Sequence, residues 1–320
     1  MPDYALCGLT VRTDGALSGL RAAAIGSVPD VEVHLQRVPL WANEPLAEDG
    51  LVYRADTRDE DAPVLEAAWL RGRDGVRLSY DDGTTFYVRA DGREVWAVWP
   101  TTMTLADTTV YLLGPVLGYV LRRLGVLSLH ASAVVIDRQV IAFCGAPGAG
   151  KSTTAAAFAL RGHAVMTDDV LALRLTGGLV IASPAYAHLR LWPESAHALV
   201  GDDARLTALA PGWPKLAFPL DEFGAGLSGE PVPLGGIFLL MPRSTDERAP
   251  YVGPARGAEA LLDLVSETSA NYLLDGDMRA AELTMIARVT ERVPLRRVTP
   301  HADMARLSTL VDVVLGASRA

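Results

Sequence analysis

Residues Gly145, Ala146, Pro147, Gly148, Ala149, Gly150, Lys151 and Ser152, followed by Thr153, fit the pattern G-x-x-x-x-G-K-[ST] without a mismatch. An apolar run, Val140–Cys144, precedes the segment, and an Ala-rich, helix-forming run, Ser152–Arg161, follows it. A strand, a glycine-rich turn and a helix in that order are the context in which such a segment binds phosphate. Glycines let successive backbone N–H groups face one anion, and the helix N-terminus adds a favourable dipole. Lys151 is then placed to bridge phosphates, and the Ser152 hydroxyl to ligate magnesium. A glycine-rich turn matching by chance has no reason to carry both flanks.

The cations support this reading. The chain has 27 arginines and two lysines, Lys151 and Lys215. Where arginine is the default cation, a retained lysine marks a position that favours a compact ammonium over a planar guanidinium. Half of the 320 residues are hydrophobic, 21% are charged and the net charge is −9. That supplies a substantial core and disfavours general nucleic-acid binding, which needs a basic surface. Two cysteines, Cys7 and Cys144, make no disulfide framework and are read as small core hydrophobes. Neither they nor the six histidines have structural-zinc spacing. Met1-Pro2-Asp3-Tyr4 does not start a signal peptide, and the longest apolar stretch, Val110–Leu121, is too short to span a bilayer. The expectation is a cytoplasmic protein with no membrane partner.

Residues 1–104 read as a β-rich domain. Leu6–Arg12 and Val31–Val38 are strand-like, and Val76–Tyr80, Thr85–Arg89 and Glu94–Trp99 form a meander punctuated by Asp-Gly turns. The acidic stretch Asn43–Glu60 reads as a loop. A second domain, 105–320, opens with helical spacing over Asp107–Arg123. Strands are expected at Ala133–Ile136, Val140–Cys144, Ala164–Thr167, Val170–Leu173 and Gly235–Leu240, and helices at 258–274, 278–292 and 302–315. Residues 174–234 read as loop-heavy. The fold class is α/β.

Asp168 and Asp169 end the strand after the loop helix. If that strand is a parallel neighbour of the loop strand, both acids lie beside the loop, where a base and a magnesium-side carboxylate are needed. His130 enters the strand before the loop and is placed to orient an aspartate. Arg190 and Lys215, in the loop-rich stretch, are candidate contacts to a phosphate or to a substrate carboxylate.

Leu129-His130-Ala131-Ser132-Ala133-Val134, the loop Gly145–Thr153, and Arg161-Gly162-His163 leading to Asp168-Asp169 together resemble the HPr kinase/phosphorylase family. That family shares a kinase-like fold with phosphoenolpyruvate carboxykinase. The β-rich N-terminal region, the Leu191-Trp192-Pro193 segment and the end Val293-Pro294-Leu295-Arg296-Arg297-Val298 resemble its lasso-peptide kinases more closely. The resemblance implies a P-loop kinase domain using ATP and Mg2+, with Asp168 as base, Asp169 on the metal side with Ser152, and His130 orienting one aspartate. The acceptor it implies is the C-terminal serine of a precursor peptide. The family's second, glycine- and arginine-containing signature has no counterpart here, so neither phosphorylase activity nor HPr as substrate is carried over. A small-molecule kinase, an HPr-type regulatory kinase and a nucleotide sensor without transfer chemistry are the alternatives. The oligomeric state stays open, a homo-oligomer included.

Overall fold

The apolar alternation of the first hundred residues does make strands, but they belong to a larger unit than residues 1–104. In the computed structural model, which describes residues 1–55, 64–186, 188–202, 205–208, 214–223 and 226–319, the chain divides into two compact units. One comprises Met1–Val126 and Ser269–Ala281, the other Leu127–Thr268 and Glu282–Ala320. The division therefore falls after the first helical segment, not at 104/105. The packing of that segment explains why. Thr104 and Asp107 form a capping box that starts the helix at Leu105. Tyr111 stacks on Tyr80 with ring centroids 4.2 Å apart and donates its hydroxyl hydrogen to Asp82 at 2.6 Å. Arg123 donates to the Ala90 carbonyl at 2.8 Å. The expected single helix is two, Leu105–Tyr111 and Leu117–Arg123. Gly114 leaves helical φ/ψ between them, and Pro115 cannot donate to the preceding turn.

Among the described residues, the sheet of this unit has nine strands. Leu6–Arg12 is not one of them. Asp3–Leu6 and Leu9–Thr13 pair antiparallel around Cys7-Gly8, both with positive φ, as a two-residue hairpin turn with right-handed strand twist requires. The acidic segment also departs from expectation, because Leu46–Arg54 is a strand paired with Leu65–Leu70, and Arg54 bonds Glu66 across it. Residues 56–60 of that segment lie outside the described residues. The meander forms as expected over Gly75–Tyr80, Thr85–Arg89 and Glu94–Val98, and its alternation buries Leu78, Phe86, Val88, Val95 and Ala97.

The second unit is a mixed sheet with helices on both faces. Ser132–Ile136 and Gln139–Cys144 form an antiparallel hairpin. Gln139–Cys144 then pairs parallel with Val232–Leu240, which pairs parallel with Leu295–Thr299. Helices Lys151–Ala159 and Leu307–Ser318 pack on one face around Phe143, Phe158 and Phe238; Leu264, Ile286 and Val289 pack on the other, over Ala142 and Cys144. Cys7 and Cys144 are buried and form no disulfide, each lying in its own unit. The described residues of 174–234 hold more regular structure than the Pro and Gly content of the stretch suggests. Leu179–Ser183 joins the main sheet, His188–Leu191, Leu216–Pro219 and Thr207–Ala208 form a small second one, and Pro193–Val200 is helical. No helix among the described residues is long and apolar enough to cross a membrane.

Phe143 is fully buried, its ring centroid 5.5 Å from that of Phe158 and 6.2 Å from that of Phe238. Phe143→Ala should lower unfolding free energy by about 3–5 kcal/mol, read by urea denaturation. A loss below about 1 kcal/mol would show that this face is not the core.

Candidate active site

The segment 145–150 joins the end of strand Gln139–Cys144 to helix Lys151–Ala159, so the strand–turn–helix context is present. Gly145, Gly148 and Gly150 all have positive φ, where glycine is favoured. Gly145 has φ +151°, and a Cβ there would lie 2.8 Å from the Leu240 carbonyl oxygen; Gly150, at φ +102°, caps the helix in the left-handed region. Lys151 is only 8% exposed. Its ammonium bonds the Gly145 carbonyl oxygen and lies 3.4 Å from that of Ala146, folded back on its own loop. Burial pushes its pKa down, and the nearby Glu267 carboxylate opposes this. Glu267 also accepts the Gly145 N–H at 2.9 Å.

Asp168 and Asp169 occupy the link between strands Val165–Thr167 and Val170–Thr176. Val165–Thr167 is not the neighbour of the loop strand. Ser132–Ile136 lies between them, antiparallel to both, so the two flanking strands still run the same way and end on the same side. The intervening strand contributes a residue of its own. Ser132 Oγ donates to Asp168 Oδ1 at 2.7 Å, and the Arg190 backbone N–H donates to Asp168 Oδ2 at 2.6 Å. Burial raises the Asp168 pKa, with the Ser132 bond, the Arg190 amide and the Ser152 hydroxyl acting against it.

Asp169 is pushed in the opposite direction. His130 pairs with Val170 across the sheet, and its Nδ1 lies 2.9 Å from Asp169 Oδ1. Arg190 Nη1 donates to Asp169 Oδ2 at 3.1 Å, and Tyr186 Oη donates to the same oxygen at 3.3 Å. Arg190 Nη2 in turn donates to Tyr186 Oη at 2.7 Å. Burial alone would raise the Asp169 pKa, but Arg190, His130 and Lys215 hold it well below the carboxylate range. Adjacent carboxylates pushed in opposite directions are a recurrent arrangement at acid–base sites.

A cavity of about 300 Å³ brings together His130, Pro147, Gly148, Gly150, Lys151, Ser152, Thr153, Asp168, Asp169, Arg190 and Lys215. Gly145, Ala146 and Ala149 complete the loop behind it. Lys215 stacks over Trp192, its Nζ 5.1 Å from the ring centroid, and Thr153 Oγ1 bonds Ser195 Oγ at 3.1 Å. Residues at the site to which the sequence assigns no role are Ser132, Tyr186, Trp192, Ser195, Arg243 and Glu267, although Ser132 and Trp192 stand in the two motifs quoted above. Ser132 carried a further local signal, standing two positions after His130 on an extended segment. A larger groove of about 950 Å³, along Val252–Leu261 and Thr290–Arg296, contains none of the loop or aspartate residues. No cluster of three or more His, Cys, Asp or Glu side chains among the described residues forms a protein-only metal site. Magnesium in phosphoryl transfer does not need one, since one or two carboxylates with substrate phosphates and water suffice. The hydroxyl of Ser152 beside two carboxylates is a hard-oxygen donor set of that kind.

The chain matches no protein-family model and no curated protein. Among solved structures it is similar to the HPr(Ser) kinase/phosphatase from Coxiella burnetii, at 15% identity over 60% of this chain and 95% of that one, with a TM-score of 0.34. A likeness this loose assigns no role to any residue here.

The depressed Asp169 pKa links stability to pH. Its ionised form is preferred in the folded protein, so the contribution is complete above the ordinary value of 3.8 and is lost as pH falls towards the lower folded one. Asp169→Asn should therefore destabilise on the order of 2 kcal/mol at pH 7. The gap to wild type should narrow below pH ~4 in denaturant titrations. A gap that widens in acid would contradict the charge cluster.

Proposed function

We propose that this chain is an ATP- and magnesium-dependent kinase that phosphorylates a serine hydroxyl, with the C-terminal serine of a lasso-type precursor peptide as its acceptor. The observation that carries this reading is a buried carboxylate of raised pKa, Asp168, sharing one cavity with Lys151 and Ser152. A serine hydroxyl is a weak nucleophile, and a carboxylate within hydrogen-bond reach accepts its proton as the new O–P bond forms and the bond to the leaving ADP breaks. A raised pKa makes Asp168 the stronger proton acceptor of the pair. Asp169 stays anionic and belongs on the metal side with Ser152, directly or through water, while His130 and Arg190 orient it. Ser152 and Asp169 would hold magnesium, which would supply neutralisation of the charge on the donor phosphates. Lys151 would leave the loop carbonyls for the phosphates.

The unit with the nine-stranded sheet carries none of these groups, and we assign it to acceptor capture. Deleting residues 1–104 is a poor test of that role, because Tyr111 would lose Tyr80 and Asp82. A metabolite kinase is the second reading, favoured by a cavity of only about 300 Å³. Labelled-phosphate transfer to peptides ending in serine, against hydroxylated metabolites, separates the two; nucleotide binding without any acceptor would favour a sensor.

Lys151→Ala should abolish transfer while circular dichroism stays native, since the side chain is tied only to its own loop. Asp168→Asn should keep nucleotide affinity and lose transfer by ~10²-fold or more, as loss of a general base typically costs. Asp169→Asn should instead raise the magnesium requirement. If Asp168→Asn transfers at the normal rate, the base is elsewhere; if the two phenotypes are exchanged, so are the two roles.

A further inference from the structure

Four lysine or arginine side chains line the cavity, and three are already engaged. Lys151 sits on the loop carbonyls, Arg190 on Asp169 and Tyr186, and Lys215 over Trp192. The fourth, Arg243, is exposed and, among the described residues, has no carboxylate partner and one hydrogen bond, Nη1 to the Met304 sulfur at 3.3 Å.

The fold fixes where this guanidinium stands. Val232–Leu240 runs parallel to the loop strand with Leu239 opposite Cys144, so the segments that follow the two strands emerge side by side. The 241–244 segment is anchored at both ends, Met241 N–H on the Val298 carbonyl and Ser244 N–H on the Pro300 carbonyl, each at 2.9 Å. Arg243 Nη2 then lies 3.5 Å from the point a Cβ on Gly150 would occupy, directly over the turn that opens the helix. It borders both the cavity with the aspartates and a small hollow lined by Gly150, Thr153, His301 and Met304. Asp168, Asp169, Ser152 and Lys151 line only the cavity, Gly150, Thr153 and Arg243 line both, and His301 and Met304 line only the hollow. The transferred phosphate belongs beside the aspartates, with which Arg243 makes no ion pair among the described residues, so Arg243, over the loop turn, is placed for the phosphates that remain with the donor.

We infer that Arg243 is a donor-phosphate clamp, binding the phosphates that leave as the nucleoside diphosphate. This rests on the nucleotide-site reading proposed above. A guanidinium offers paired N–H donors that match phosphate oxygens, and one not spent on a carboxylate needs no rearrangement of the protein to use them.

Calorimetric titration of wild type, Arg243→Ala and Arg243→Lys with Mg·ADP, and with a non-hydrolysable Mg·ATP analogue, tests the assignment. Arg243→Ala should weaken both ligands alike, by about tenfold or more, as loss of a hydrogen bond to a charged group does. Arg243→Lys should recover part of the loss, and the melting temperature should not move, because the side chain is exposed and holds no carboxylate among the described residues. ADP affinity unchanged in Arg243→Ala would overturn the clamp. Loss of transfer at unchanged ADP affinity would overturn it as well, by moving Arg243 to the transferred phosphate. A wild-type protein that binds neither nucleotide would overturn the kinase reading and the clamp with it.

Discussion

The site depends on holding two consecutive carboxylates, Asp168 and Asp169, in different electrostatic states a few ångströms apart. Side by side and unaided, two like charges in a buried place resist joint ionisation. Here one is buried against a hydroxyl and a backbone amide, which satisfy its oxygens without adding a full charge. The other receives an arginine and a histidine. Arg190 serves both, its backbone N–H on Asp168 and its guanidinium on Asp169. That division requires the Arg190 strand to be fixed, and its pairing with Leu216–Pro219 fixes it.

The remaining geometry follows from strand direction. The loop strand and the aspartate strand run the same way because one antiparallel strand, Ser132–Ile136, separates them, and their ends meet at one edge of the sheet. The loop strand's other neighbour, Val232–Leu240, is parallel to it and delivers its own C-terminal segment to that edge. Ligand groups gathering beyond the carboxyl ends of strands is the general behaviour of α/β sheets. Aromatic packing of Phe143, Phe158 and Phe238 beneath the loop holds the edge in place.

Much of this was legible in the residues. The loop, its flanking strand and helix, and the acids one helix later are local patterns, and local patterns survive folding. His130 was legible as a partner for an aspartate, though not for which one. What could not be read was pairing. Nothing in the sequence shows that Ser132 stands between two other strands, or that Leu191 lies opposite Leu216 so that Lys215 stacks on Trp192. The 174–234 stretch looks like loop because its strands are short and interrupted by prolines and glycines. The unit boundary was misplaced because the texture changes at residue 105, while the Tyr80–Tyr111 stack that keeps the helices with the first sheet is a tertiary contact. Nor does the sequence show that Lys151, while lining the cavity, folds its ammonium back onto its own loop carbonyls.

Carboxyl-carbon NMR titration of the protein labelled at aspartate, with Asp168→Asn and Asp169→Asn spectra for assignment, tests the central claim most directly. The account predicts one resonance, missing in Asp168→Asn, that titrates above the ordinary 3.8, and another, missing in Asp169→Asn, that remains ionised well below it. Two carboxyls titrating together near the ordinary value would contradict the account.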